Sequence, residues 1–164
     1  MKILVCGLPG SGKTWLSERL VKHLDSCAWY NADFVRKYAN DWDFEPEGRM
    51  RQANRMKTFA DFEKSNGRWV VCDFVAPTEK SRVAFDADFL IWIDTIKEGR
   101  VVSAKLDQLN KINNLPFDAD TLSTSKIFDD TTKMFEKPNN VDAHIQSFLD
   151  DEEIKKLADK IKNV

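Results

Sequence analysis

The sequence predicts an α/β fold in three layers, α/β/α, with a central, mostly parallel five-stranded sheet and a lid. Three observations lead there. Short apolar runs alternate with amphipathic helical stretches. A glycine-rich turn joins the first run to the first helical stretch. A long polar stretch at about 97–137, rich in Asn, Asp, Ser and Thr, interrupts the alternation as a lid does. The chain has 164 residues, the size of one domain, and residues 1–164 are read as one unit.

Taken in order, residues 2–6 (KILVC) read as a buried strand that runs into glycine. Residues 13–24 carry apolar positions at 16, 20, 21 and 24, a helical period. Residues 27–30 (CAWY) form a short strand, and 46–65 a long helix that Gly67 can stop. Residues 68–75 (RWVVCDFV) are a strand ended by Pro77, and 88–94 (DFLIWID) another. Residues 151–162 close the chain with a helix, acidic at its start and basic at its end, as the helix dipole favours.

Composition narrows the function classes. Lys+Arg is 25 against Asp+Glu 27, a net charge of −2 that disfavours a nucleic-acid partner without excluding one. No apolar run approaches the ~20 residues of a membrane span. The N-terminus reads as a cytosolic start, which places the protein in the cytoplasm. Cys6, Cys27 and Cys72 form no CxxC pair, and each lies in or beside an apolar run, as reduced structural thiols do.

The strongest signal is GLPGSGKT at 7–14, which matches GxxxxGK(S/T) between a strand and a helix. Gly7, Leu8, Pro9, Gly10, Ser11 and Gly12 form a loop whose backbone N–H groups can cradle phosphates. Lys13 can reach the β- and γ-phosphates, and the Thr14 hydroxyl can hold Mg²⁺. The cofactors expected are therefore ATP and Mg²⁺, and the fold class becomes that of a P-loop NTPase, nucleotide-kinase-like. No NKxD motif marks a GTPase, and a motor or AAA-type ATPase is usually larger. A small domain with a polar lid suits a kinase of a small molecule.

Such a kinase needs a carboxylate for the acceptor hydroxyl and cations for the transferring charge. Asp33 follows the strand at 27–30, where open α/β sheets place ligands, and Arg36 lies one helical turn on. Asp33 is the candidate base or orienter; the alternative is that it only caps a helix. Arg49, Gln52 and Arg55 recur every three residues, so one helix face offers two guanidinium groups and an amide to an anion. The alternative is a solvated face paired with Glu45, Glu47 and Asp61, and Arg51 lies off that face. Asp73 ends the strand expected beside the P-loop strand and can hold Mg²⁺ through water, or serve as a turn carboxylate.

These residues resemble the adenylylsulfate kinase family from residue 1 to about 150. After the P-loop that family has DGDNVR, GF(S)xxxR, SPxxxxR, a VDT strand, a Lys-x-Phe in its lid and PYExPxxPEIH. NADFVR at 31–36 matches the second carboxylate and the arginine at Asp33 and Arg36. Phe44, Arg49 and Arg55 match the next segment, and APTEKSR at 76–82 keeps Pro77 and Arg82. WIDT at 92–95 matches VDT, SKIF at 125–128 the lid pair as Lys126 and Phe128, and MFEKPNNVDAHI at 134–145 the last segment. The resemblance implies transfer of the ATP γ-phosphoryl group to the 3′-hydroxyl of adenylylsulfate. It implies an acceptor adenine between Phe44 and Phe128, with the phosphosulfate on Arg36 and Arg49. Lys13, Asp33 and Arg36 become the catalytic set. Asp33, Arg36, Phe44, Arg49, Gln52, Arg55, Lys126 and Phe128 become the acceptor set, and Thr14 and Asp73 the metal set. The partner is a small nucleotide acceptor, and a homodimer stays open.

The chain departs from the family at several points. Asn31 and Ala32 replace the first Asp and Gly of DGDN, Phe34 its Asn, and Gln52 a helix Asn. Asp73 has no carboxylate equivalent in the family strand. Two other readings compete. The Asp33–Arg36 and Asp73–Arg82 pairs also resemble polynucleotide 5′-kinases. A nucleotide-binding module without catalysis would have lost a key group, yet Lys13, Thr14 and Asp33 are all present.

Overall fold

A computed structural model of the protein describes residues 1–96 and 129–164. Its sheet has the strand order β2-β3-β1-β4-β5, and every neighbouring pair is parallel. The strands are β1 (Lys2–Gly7), β2 (Ala28–Asn31), β3 (Val70–Asp73), β4 (Phe89–Ile93) and β5 (Ala143–Ile145). The helices described from end to end are α1 (Lys13–Leu20), α2 (Ala32–Ala39), α3 (Pro46–Ser65), α4 (Glu79–Phe85) and α5 (Asp151–Lys162), with a 3₁₀ turn at Val21–His23. The sheet expected to be mostly parallel is wholly parallel, as right-handed strand–helix–strand crossovers make it.

β1 is buried along its whole length because it lies at the centre of the sheet. Its side chains alternate between two cores. Ile3 and Val5 join Leu16, Leu20, Ile154, Leu157 and Ile161 on the α1/α5 face. Leu4 and Cys6 join Met56, Ala60 and Phe85 on the α3/α4 face. That two-sided burial explains why its sequence is a continuous apolar run rather than an alternating one.

The helices start where local chemistry starts them. Pro46 stands in the first turn of α3, where its missing N–H costs nothing, and Gly67 follows its end in the left-handed region. Thr78 with Ser81 and Asp150 with Glu153 form reciprocal caps that begin α4 and α5. Three elements differ from the sequence expectation, one of them α4, which the sequence reading did not include. The helix expected over 13–24 stops at Leu20 and tightens into the 3₁₀ turn. β5 has no counterpart in the sequence reading, since three residues, Ala-His-Ile, carry no readable period. Among the described residues, no helix is long and apolar enough to cross a membrane.

This topology sets the site. β1, β2 and β3 all end on one side, so the loop after Gly7, the start of α2 and Asp73 converge at the carboxyl edge of the sheet.

Candidate active site

Gly7 leaves β1 where a Cβ would stand 2.5 Å from the Ile93 carbonyl oxygen, so only glycine lets β1 and β4 approach there. Gly12 has φ of 101° and a Phe148 ring carbon 3.0 Å from where its Cβ would be. The loop between them turns on a Ser11 N–H to Leu8 carbonyl bond of 3.1 Å. No side chain caps α1, so the N–H groups of its first turn remain available to a ligand. The Ser11 hydroxyl is fully buried and makes no hydrogen bond among the described residues. A narrow backbone cradle, an unsatisfied buried hydroxyl and a helix N-terminus fit the phosphates of ATP.

Lys13 Nζ donates to the Gly7 carbonyl at 3.0 Å and the Leu8 carbonyl at 2.9 Å. Burial lowers its pKa, and the charges of Asp73 and Asp33, in that order, raise it. Both expected carboxylates therefore act on the P-loop lysine.

Asp73, only 2% exposed, ends β3 beside the P-loop strand as expected. Its Oδ1 accepts from Trp29 Nε1 at 3.2 Å and its Oδ2 from Asn31 Nδ2 at 3.1 Å. Thr14 Oγ1 accepts from the same Asn31 nitrogen at 2.9 Å. Burial pushes the Asp73 carboxyl up to about 6, against the hydrogen bonds from Asn31 and Thr14, the Lys13 charge and the Trp29 bond. A hydroxyl and a buried carboxylate joined through one amide are the hard oxygen donors that Mg²⁺ takes beside substrate phosphates. Among the described residues no group of three or more His, Cys, Asp or Glu could hold a metal by itself.

Asp33 lies exposed in the first turn of α2. It is not the cap: Asn31 is, accepting from the N–H groups of Asp33 at 3.0 Å and Phe34 at 3.1 Å. Capping as the whole role of Asp33 is thereby removed.

Arg36, Phe44 and Arg49 come together. The Arg36 guanidinium lies 4.3 Å from the Phe44 ring centroid, and that of Arg49 5.8 Å away. Arg36 Nη1 donates to the carbonyls of Asp41 at 2.9 Å and Asp43 at 3.0 Å. Arg49 donates to the Phe44 carbonyl at 2.6 Å and Thr131 Oγ1 at 2.9 Å. Burial lowers both arginine pKa values. Asp41 and Asp33 oppose the shift at Arg36, and Asp130 and Glu45 at Arg49.

Gln52 and Arg55 are placed differently from the anion-facing row the spacing suggested. Gln52 Nε2 donates to the Ala32 carbonyl at 3.0 Å and its oxygen accepts from Arg55. Arg55 also donates to Asp41 Oδ2 at 2.9 Å, where Arg51 binds both carboxylate oxygens at 2.7 and 2.8 Å. Within this row Arg55 pairs with Asp41, not with Glu47 or Asp61; Asp61 pairs with Lys2 and Lys57. Arg82, 4% exposed, donates to the Ala76 carbonyl at 2.8 Å and to Glu79. Lys126 and Phe128 lie outside the described residues, as does most of the expected lid; residues 129–133 are helical.

Sequence reasoning missed Trp29 and undervalued Asn31. The signal was the period of β2: residues 29 and 31 share one face of a strand whose neighbour ends in Asp73. The three cysteines are free, and burial raises each thiol pKa, as for inert structural thiols.

Residues 3–102, more than half of the chain, match the family described as AAA domain. The chain belongs to that family. This match corrects the size argument made from sequence against an AAA-type domain. Its fold is that of P-loop kinases. The protein APE1195 superposes with a TM-score of 0.79 at 22% identity, covering 100% of this chain and 96% of that one. The Mycobacterium tuberculosis APS kinase CysC, solved with AMPPNP and APS, gives 0.68 at 16% identity, with 98% and 96% covered. A gluconokinase from Sinorhizobium meliloti 1021 gives 0.59 at 13%, with 99% and 91% covered. At these identities the likeness is one of fold. No curated protein sequence matches this AAA domain.

Proposed function

We propose that the protein is an ATP-dependent kinase that transfers the γ-phosphoryl group to a hydroxyl of a nucleotide-like acceptor, with the 3′-hydroxyl of adenylylsulfate as the acceptor its residues favour. The observation that carries the reading is that the Asn31 amide joins Thr14 and Asp73 beside the P-loop and caps the helix whose first turn carries Asp33, with both carboxylate charges acting on Lys13. Lys13 neutralises the charge that builds on the transferring group. Thr14 and Asp73 are the residues that would hold Mg²⁺, which when bound draws charge off the β- and γ-phosphates. Asp33, exposed one turn before Arg36, accepts the proton of the attacking hydroxyl. Arg36 and Arg49 hold the acceptor's anion, and the Phe44 ring stacks on its base.

The preference for adenylylsulfate rests on the Arg36–Phe44–Arg49 cluster and on the motif order along the chain. A second reading, a smaller hydroxylated acceptor with one anionic group, is favoured by Arg51 and Arg55 being taken up by Asp41. ADP release should be measured with Mg²⁺, ATP and, in turn, adenylylsulfate, nucleosides, gluconate and a 5′-hydroxyl oligonucleotide. Turnover with adenylylsulfate well above the acceptor-free rate supports the first reading. Turnover with gluconate alone supports the second, and turnover with the oligonucleotide alone overturns both. The absence of turnover with every acceptor removes the kinase reading.

A further inference from the structure

Asn31 is 8% exposed, at the last position of β2, in register with Asp73 at the last position of β3. A side-chain amide offers two N–H donors and an oxygen with two lone pairs. Every one of these is used here. Nδ2 donates to Thr14 Oγ1 at 2.9 Å and to Asp73 Oδ2 at 3.1 Å. Oδ1 accepts from the N–H groups of Asp33 at 3.0 Å and Phe34 at 3.1 Å. The nitrogen thus binds the P-loop threonine and the buried carboxylate, while the oxygen binds the first turn of the helix that carries Asp33 and Arg36.

We propose that Asn31 is the positioning residue that locks the ATP side of the site to the acceptor side, and that positions 31 and 73 together accommodate only one carboxylate. Aspartate at 31 keeps the size and still caps α2, since its oxygens accept as the amide oxygen does. It loses both donors and sets a second carboxylate about 3 Å from Asp73 in a buried place, an uncompensated repulsion. Moving the charge restores the arrangement. When Asn31→Asp is combined with Asp73→Asn, the donor lies at position 73 and the acceptor at position 31, and the Thr14 hydroxyl and the α2 N–H groups still find oxygens. Trp29 Nε1 still meets an oxygen at position 73. The stability part of the proposal stands without catalysis; the turnover part rests on the kinase reading above.

The test is a double-mutant cycle of Asn31→Asp, Asp73→Asn and the two together. The first readout is the melting temperature of the metal-free, nucleotide-free protein in EDTA at pH 7. Asn31→Asp should lower it by about 5 °C or more, the size of a buried polar defect in a domain of this length. Asp73→Asn should raise the melting temperature far more when added to Asn31→Asp than when made in the wild type. The second readout is turnover with Mg²⁺ and ATP. Asn31→Asp should lose ~10²-fold, and the exchange should recover to within ~10-fold of wild type. Failure of Asn31→Asp to fold, with folding of the exchanged pair, supports the proposal equally. Equal gains from Asp73→Asn in both backgrounds overturn it, as does an Asn31→Asp protein with wild-type stability and turnover. If the wild type turns over no acceptor, the kinase reading fails and the stability cycle still decides the role of Asn31.

Discussion

On the proposed ATP side, from Gly7 to Thr14 and across to Asp73, Lys13, Thr14 and Asp73 are held by backbone carbonyls or by the uncharged Asn31 and Trp29, while the Ser11 hydroxyl makes no hydrogen bond among the described residues. On the proposed acceptor side, between α2 and α3, Asp41 takes Arg51 and Arg55, while loop carbonyls take the buried Arg36 and the half-buried Arg49. The difference shows where specificity can change. A site pinned by strand ends tolerates little, because every donor and acceptor of the Asn31 amide is matched to one partner. A site of exchangeable ion pairs can be retuned by one residue in a loop.

The largest effect should come from the rigid half. Lys13→Ala removes the ammonium proposed to neutralise the transferring group and should lower kcat by ~10²-fold or more, by analogy with the loss of one oxyanion donor. The melting temperature should change little, since the Gly7 and Leu8 carbonyls then turn to water. Near wild-type turnover at saturating ATP would make the two halves equally dispensable and end the comparison.

Next comes the boundary between the halves. Asp33→Asn keeps the shape of the side chain but not its charge, and should lower kcat ~10²-fold while ATP affinity stays within a few-fold. Asp73→Asn should instead raise the Mg²⁺ requirement, and added metal should restore part of the rate. If Asp33→Asn is the one rescued by metal, the two carboxylates have exchanged roles and Asp73 is the base.

Much of the rigid half was legible from local pattern. The motif at 7–14, the apolar run of β1 and the strand ending in Asp73 each fall within a few residues of chain, and the parallel sheet followed from their alternation. The Asn31 network was not legible, because its partners Thr14 and Asp73 lie 17 and 42 residues away and meet only once three strands are in register. The acceptor half was half legible. A period of three placed Arg49, Gln52 and Arg55 along one helix, but nothing local shows that Asp41, before that helix, neutralises Arg55. β5 escaped because a three-residue edge strand has no period to read.

Phe44→Ala tests the adaptable half with a smaller effect. Loss of a stacked base costs roughly 1–3 kcal/mol, so the acceptor KM should rise about 5- to 150-fold with the ATP KM unchanged. The Arg36 guanidinium loses the ring it lies on, which should cost about 0.5–1 kcal/mol of stability. A change in ATP KM alone would move Phe44 to the nucleotide side.

The smallest effect separates the halves by the sign of their response to acid. Asp73 has its folded-state pKa raised to about 6 by burial. The folded protein thus holds that proton more tightly than the unfolded chain does. Its contribution is fully present below the ordinary carboxylate pKa and is lost as pH rises through about 6. Asp41 is the reverse: hydrogen bonds from Arg51 and then Arg55 hold its carboxyl well below the usual carboxylate range. Its contribution is present at neutral pH and is lost only as acid protonates it, below about pH 4. Asp73→Asn should therefore raise the melting temperature by roughly 2–4 °C at pH 7, and the gain should vanish by about pH 4. Arg51→Ala should lower it by only about a degree or two at pH 7, since solvent screens an exposed ion pair, and by less as the pH falls below about 4. Melting curves of the wild type and both variants from about pH 3 to about pH 8 measure both slopes. Parallel slopes in the two variants would mean that Asp41 and Asp73 share one environment, and the contrast between a matched interior site and an exchangeable surface one would be lost.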